Sequence, residues 1–201
     1  MSDAATNDIT PFLSEIFENE ATGILQDLMG TSALAPLMMF ITEAQIKAAK
    51  GYIIGVLDEC YQAGHLSVLG AGNVGELYGY ALIFGHRAAS PMLYCHKIYV
   101  YESYRGKGIG SQMLTSILNQ PAKVGLICSP SLVPFYEAAG MHCKGDFTTP
   151  GDLGFKHTQG IYSGLCIMTD REDGDTGGLP IFMMNDDDVE QISKAIMNCN
   201  Q

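Results

Sequence analysis

An α/β fold on a central sheet of six or seven strands is what the sequence predicts, and three observations carry it. Apolar residues recur at helical spacing in several separate stretches. Between them lie strand-length runs rich in Tyr, Ile, Leu and Val, at 76–84 and 94–100 among others. One such run passes through a loop holding three glycines straight into a helix, the order from which layered α/β domains are assembled.

Taken in order, residues 11–30 read as a helix with Phe12, Leu13, Ile16 and Phe17 on one side and a break near Gly23. After Pro36 a short strand over 37–41 is expected. Thr42 then caps a helix running to about Tyr61 that buries Ile46, Ile53, Ile54 and Leu57. Runs 65–69 and 76–84 pair as a hairpin around a glycine-rich connection over 70–75, and further strands lie at 94–100 and 124–128. Between those two, Gly110, Met113, Leu114, Ile117 and Leu118 line one helix face, and Pro121 ends it. A short helix comes next, capped by Ser131, with Pro134 in its first turn and Gly140 closing it. Residues 141–148 and 160–169 form a strand pair, and 186–199 a final helix with three Asp at its start, where the dipole favours them.

Composition narrows the function classes. Residues 1–30 carry six acids and no base, and residues 169–201 eight acids and two bases, around a nearly neutral middle. Phosphate contacts need clustered Lys and Arg, so a nucleic-acid partner is not expected, whereas cationic acceptors are favoured. The longest apolar run, 34–41, is interrupted by Pro36 and far too short to span a membrane. The first ten residues include two Asp and no basic residue, so no secretory leader is expected and the location reads as cytoplasmic. Cysteines at 60, 95, 128, 143, 166 and 199 make no metal spacing with one another or with the histidines at 65, 86, 96, 142 and 157, so free thiols and no metal are expected.

Gly70-Ala71-Gly72-Asn73-Val74-Gly75 is a literal GxGxxG, but the adjoining run 76–84 suits a strand instead of a helix. No Asp or Glu stands between Glu76 and Glu102 to bind a ribose. The informative loop is Tyr104-Arg105-Gly106-Lys107-Gly108-Ile109-Gly110-Ser111. Its glycines let backbone amides turn toward an anion, the helix N-terminus adds positive potential, and Arg105 and Lys107 add charge. The pattern suits a diphosphate and fits neither the Walker sequence nor the dinucleotide fingerprint.

Here the chain resembles the GNAT superfamily of N-acetyltransferases. Arg105-Gly106-Lys107-Gly108-Ile109-Gly110 matches its coenzyme A motif, with Val100 at the usual place five residues before. Pro134-Phe135-Tyr136-Glu137-Ala138-Ala139-Gly140-Met141 resembles its second signature, FYEKxGF, and Gly79-Tyr80-Ala81 its third strand. The resemblance spans about 37–168, leaving a helical extension over 1–36 and an acidic one with a short helix over 169–201. Deleting the latter is expected to leave a folded core.

The resemblance implies a GNAT fold, a mixed six- to seven-stranded sheet with helices on both faces. It also implies acetyl transfer from acetyl-CoA to a primary amine by direct attack. On it, Ile98, Tyr99 and Val100 hold the pantetheine arm where two strands splay, and residues 105–111, Ile109 and Ser111 included, hold the diphosphate. Tyr136 protonates the departing thiolate. An amine with pKa about 10.4 is almost wholly protonated at neutral pH, so a base is also needed. His96, on the proposed fourth strand and read as sharing a face with Tyr94, Ile98 and Val100, is the first candidate; Glu102 is a second, and Cys128 a pocket-lining residue. His86 and Arg87 acquire no role. A coenzyme A-binding sensor or scaffold without catalysis is the alternative, and an interaction protein working through its acidic ends a third reading. Dimers are common among similar proteins, so a homodimer is compatible with this reading.

Overall fold

The computed structural model describes residues 9–31, 34–38, 40–85, 92–151, 154–172 and 179–199. Helix α1 (Leu13–Met29) follows a 3-10 turn and runs unbroken through Gly23, because its buried stripe of Ile16, Phe17, Ala21, Leu25 and Leu28 continues on both sides of the glycine. A lone helical glycine costs only about 1 kcal/mol, which that packing outweighs. No strand forms among the described residues of 37–41. Ala35–Met38 makes a single helical turn, α2, in which Pro36 occupies a first-turn position that requires no amide, while Met39 lies outside the described residues. Helix α3 (Glu43–Gln62) begins with the expected Thr42 cap. Gln45 N donates to Thr42 Oγ1 at 3.3 Å, and Thr42 N donates back to Gln45 Oε1 at 2.8 Å.

Strands β1 (Leu66–Asn73) and β2 (Glu76–Phe84) form the hairpin. Gly70 to Asn73 already belong to β1, so the connection is only Val74 and Gly75, the glycine at φ +82°. Then come β3 (Met92–Val100), α4 (Ile109–Leu118), β4 (Lys123–Cys128) and α5 (Val133–Glu137). Ser129, not Ser131, caps the 3-10 turn leading into α5: its hydroxyl accepts from Ser131 N at 3.4 Å. The last strand pair is shorter than expected, β5 (His142–Asp146) and β6 (Cys166–Thr169), with a helical turn α6 (Gln159–Tyr162) before β6. There Met184 N donates to the Tyr162 hydroxyl at 2.7 Å, holding the turn against the C-terminal segment and off the sheet. Helix α7 (Asp186–Asn198) closes the chain.

The strands form one six-stranded sheet in the order β1-β2-β3-β4-β6-β5, antiparallel except for the parallel β3–β4 pair, so the sheet is mixed. Alternation along β2 sends Tyr80, Leu82 and Phe84 into a core shared with α1, α3 and α7, and Ala81 and Ile83 into a second core with α4 and α5. Both faces of the sheet are thus covered, the GNAT architecture expected. The acidic C-terminal segment is part of the first core: Val189, Ile192 and Ile196 are buried in it. Tyr52 on α3 donates to Asp188 at 2.8 Å, and Gln45 donates to the Ile196 carbonyl at 3.3 Å. Among the described residues no helix is long and apolar enough to cross a membrane, and no group of His, Cys, Asp or Glu could hold a metal ion.

Candidate active site

Strands β3 and β4 pair only over Met92↔Lys123, Leu93↔Val124 and Tyr94↔Gly125. Beyond Tyr94 they diverge, β3 staying with β2 while β4 pairs with β6. A β-bulge marks the divergence: Leu82 pairs with Lys97 but Ile83 with Cys95, which leaves His96 as the extra residue. From there to Val100 the backbone edge of β3 facing β4 has no strand partner among the described residues.

On the α4 and α5 side the gap opens into a cleft of about 490 Å³. Its walls are Ile98, Tyr99 and Val100 from β3, Tyr104 to Gly106 and Gly108 to Ser111 from the loop and α4, and Leu132, Phe135 and Tyr136 from the α5 region. Gly106 and Gly108 stand at φ +75° and +76°, left-handed values that glycine alone adopts without strain, and a Cβ on either would meet open space. No side chain caps α4, and its first intrahelical bond is Gln112 N to the Gly108 carbonyl at 3.0 Å. The amides of Ile109, Gly110 and Ser111 therefore precede any helical partner, an anion-binding arrangement. Arg105 Nε donates to the Val100 carbonyl at 3.0 Å, tying the loop to the end of β3. A cradle of this shape fits the diphosphate of coenzyme A.

Tyr136 is 9% exposed and lies against Phe135 edge to face. Burial, with the neighbouring Cys95 and Cys128, pushes its phenol well above the ordinary value, so at neutral pH it carries its proton. Burial likewise pushes the Cys128 thiol up to about 11 and the Cys95 thiol up to about 12, so neither is a thiolate nucleophile at neutral pH.

His96 lies on the other face. The bulge changes the parity of β3, so Tyr94 shares the face of His96, as expected, but Ile98 and Val100 do not: both lie against Gly110 on the α4 side. His96 Nε2 is 3.1 Å from Glu20 Oε1, and Lys97 Nζ is 3.3 Å from Glu20 Oε2, two successive residues reaching one carboxylate because of the bulge. Glu20 is 1% exposed. Burial alone would raise its carboxyl, but the His96 hydrogen bond and the charges of His96 and Lys97 outweigh that and lower it. Rings of Phe84 and Phe182 meet the imidazole edge to face at 5.7 and 5.2 Å, and Nδ1 is buried without a hydrogen-bond partner.

Of the ten residues expected to hold the donor, the cleft brings together all but Lys107, whose ammonium sits over the Tyr104 ring at 5.0 Å. Glu102 is exposed in the turn after β3, and neither Glu102 nor Cys128 contributes to the cleft walls. His86 and Arg87 lie outside the described residues. The sequence reading missed Tyr104, Leu132 and Phe135 in the cleft, and Glu20 behind His96. Glu20 had left a signal: it falls three and four residues after Phe17 and Ile16, on the apolar stripe of α1, where an acid needs a partner.

The acetyltransferase (GNAT) family model matches residues 38–141. No curated protein matches the sequence. Among solved structures, a variant spermidine N-acetyltransferase from Vibrio cholerae is 13% identical, with 60% of this chain and 73% of that one aligned at a TM-score of 0.46. A Bacillus subtilis acetyltransferase in complex with CoA is 18% identical over 57% and 80%, at 0.41. An acetyltransferase from Thermus thermophilus is 14% identical over 58% and 71%, at 0.44. The matched segment is about half of the chain and contains both the glycine loop and Tyr136, and the chain belongs to the GNAT family of acetyltransferases.

Proposed function

We propose that the protein is an N-acetyltransferase that moves acetyl from acetyl-CoA to a primary amine by direct attack. One observation supports this most: a single cleft joins an uncapped helix N-terminus, an unpaired strand edge and a buried, protonated phenol. Bound acetyl-CoA would supply an activated thioester carbonyl.

The chain's own groups do the rest. The amides of Ile109 to Ser111, with Arg105 near them, hold the diphosphate, and the open edge of β3 over Ile98 to Val100 aligns the arm. His96 takes one proton from the substrate ammonium. The freed nitrogen lone pair forms the C–N bond as the C–S bond breaks, and Tyr136 delivers its phenolic proton to the departing sulfur. The second amine proton returns to Tyr136, so substrate ammonium and thioester become amide, thiol and one released proton. A reducing, cytoplasmic setting belongs to the same proposal and agrees with six free cysteines.

Two measurements test the donor side. At a hundredfold excess over Kd, acetyl-CoA should add about 2.7 kcal/mol. For a domain of this size that is a rise in Tm of about 5–10 °C; no shift at millimolar donor rules the reading out. Gly108→Ala should cost about 1–2 kcal/mol in backbone strain and set a methyl group in the cradle. Calorimetry should then find acetyl-CoA affinity reduced at least tenfold.

A further inference from the structure

Three cysteines outside the donor cleft stand side by side across β4, β6 and β5, the last three strands of the sheet. Cys128 on β4 pairs directly with Cys166 on β6, and Cys143 on β5 pairs with Met168, two residues further along β6. Directly paired residues share a face, and so do residues two apart on one strand, so all three side chains lie on the α4 and α5 side. They differ in access. Cys128 and Cys166 are buried in the core there, whereas Cys143 is exposed on the outermost strand.

In a regular ladder Cys143 and Cys166 would be diagonal neighbours about 7–8 Å apart, outside the usual reach of a disulfide. The ladder is not regular at this point. β5 carries an extra residue between Cys143 and Asp146, with Gly145 inside the irregularity at φ +104°. A bulge bends the strand that bears it, and here the two thiols are hydrogen-bonded to one another.

We infer that Cys143 and Cys166 form a reversible dithiol–disulfide site that reacts with small disulfides. The inference stands apart from the acetyltransferase reading and needs no bound donor. The Cys143 sulfur attacks one sulfur of the reagent. A new S–S bond forms as the reagent's own breaks, and the first small thiol leaves with the Cys143 proton. Cys166 then attacks the Cys143 sulfur, the mixed disulfide breaks, and the second small thiol leaves with the Cys166 proton. The reagent is reduced by two electrons and the pair is oxidised by two; excess small thiol runs both steps backward. Access divides the roles. Burial and the adjoining Cys143 raise the Cys166 thiol, which leaves the exposed Cys143 to meet the reagent first. Cys166, already in contact, then resolves the adduct before a second reagent molecule arrives. Cys128, on the other side of Cys166, is buried and its thiol is pushed up to about 11, so it is not the entry point.

The test uses the full reduced chain, incubated under native conditions with oxidised glutathione and then alkylated. Digestion after Lys, Arg and Glu without reductant places Cys128 in 124–137, Cys143 in 138–144 and Cys166 in 157–171, so mass spectrometry distinguishes every pairing. Peptide 138–144 should be linked to 157–171, and the link should open as reduced glutathione is added. Cys199→Ser, which removes the exposed thiol at the end of α7, should leave the link unchanged. Cys166→Ala should leave glutathione on Cys143, about tenfold more than in wild type. Cys143→Ser, at an exposed position, should abolish the link and leave Cys166 unmodified, with the thermal transition unchanged. A link from 124–137 to 157–171, glutathione retained on wild-type Cys143 without a link, or a link that forms only in denaturant overturns the inference.

Discussion

Tyr136→Phe should lower kcat about a hundredfold while leaving acetyl-CoA affinity within twofold of wild type. The ring itself fills the cleft wall against Phe135, and phenylalanine keeps that packing. What is removed is one hydroxyl. General acid catalysis contributes about 10²–10⁴-fold, and expelling an unprotonated thiolate near pKa 8.5 is less demanding than expelling an alkoxide, which places the loss toward the lower bound. A phenol at its ordinary pKa already holds its proton at neutral pH, so the upward shift caused by burial adds nothing to proton availability and makes transfer to the sulfur steeper. Single-turnover acetylation together with donor calorimetry separates the two effects. Turnover equal to wild type would remove Tyr136 from the proton path.

Ile192→Ala should cost about 2–5 kcal/mol, and removal of residues 186–201 should prevent stable folding. Ile192 is fully buried in the core shared by α1, α3 and α7, and truncation to alanine leaves a cavity that the surrounding helices cannot fill. At about 2–4 °C per kcal/mol, the point variant should melt about 4–20 °C below wild type. The full deletion also removes Val189 and Ile196 and leaves α1 and α3 with an exposed apolar groove. Total stabilities of domains are only about 5–15 kcal/mol, so such a loss is decisive. A truncated chain with a cooperative thermal transition near that of wild type would show that the tail is dispensable. The predicted loss of folding reverses the expectation from charge asymmetry that deleting residues 169–201 leaves a folded core, because Val189, Ile192 and Ile196 belong to that core.

Local patterns in the sequence determined much of the cleft. The glycine loop, the helix after it and Tyr136 lie within one stretch, and their functions depend on backbone conformation that glycine, proline and capping residues specify at short range. The hairpin was legible for the same reason, even though its glycines imitated a dinucleotide fingerprint. The short segments 37–41 and 160–165 were read as strands, and their described residues form none, because a run of a few apolar residues carries no period long enough to separate strand from helical turn.

Only the tertiary structure decided the surroundings of His96. A single extra residue in β3 turns Ile98 away from His96 and brings Lys97 toward Glu20, and no composition or spacing announces a bulge. Glu20 and His96 are 76 positions apart, and Asp27 meets Phe182 and Met184 only after the sheet has been laid between the two ends. Side-chain period and turn chemistry act over a few residues, whereas a cavity is what remains where distant surfaces pack against one another, and that is fixed when the chain closes.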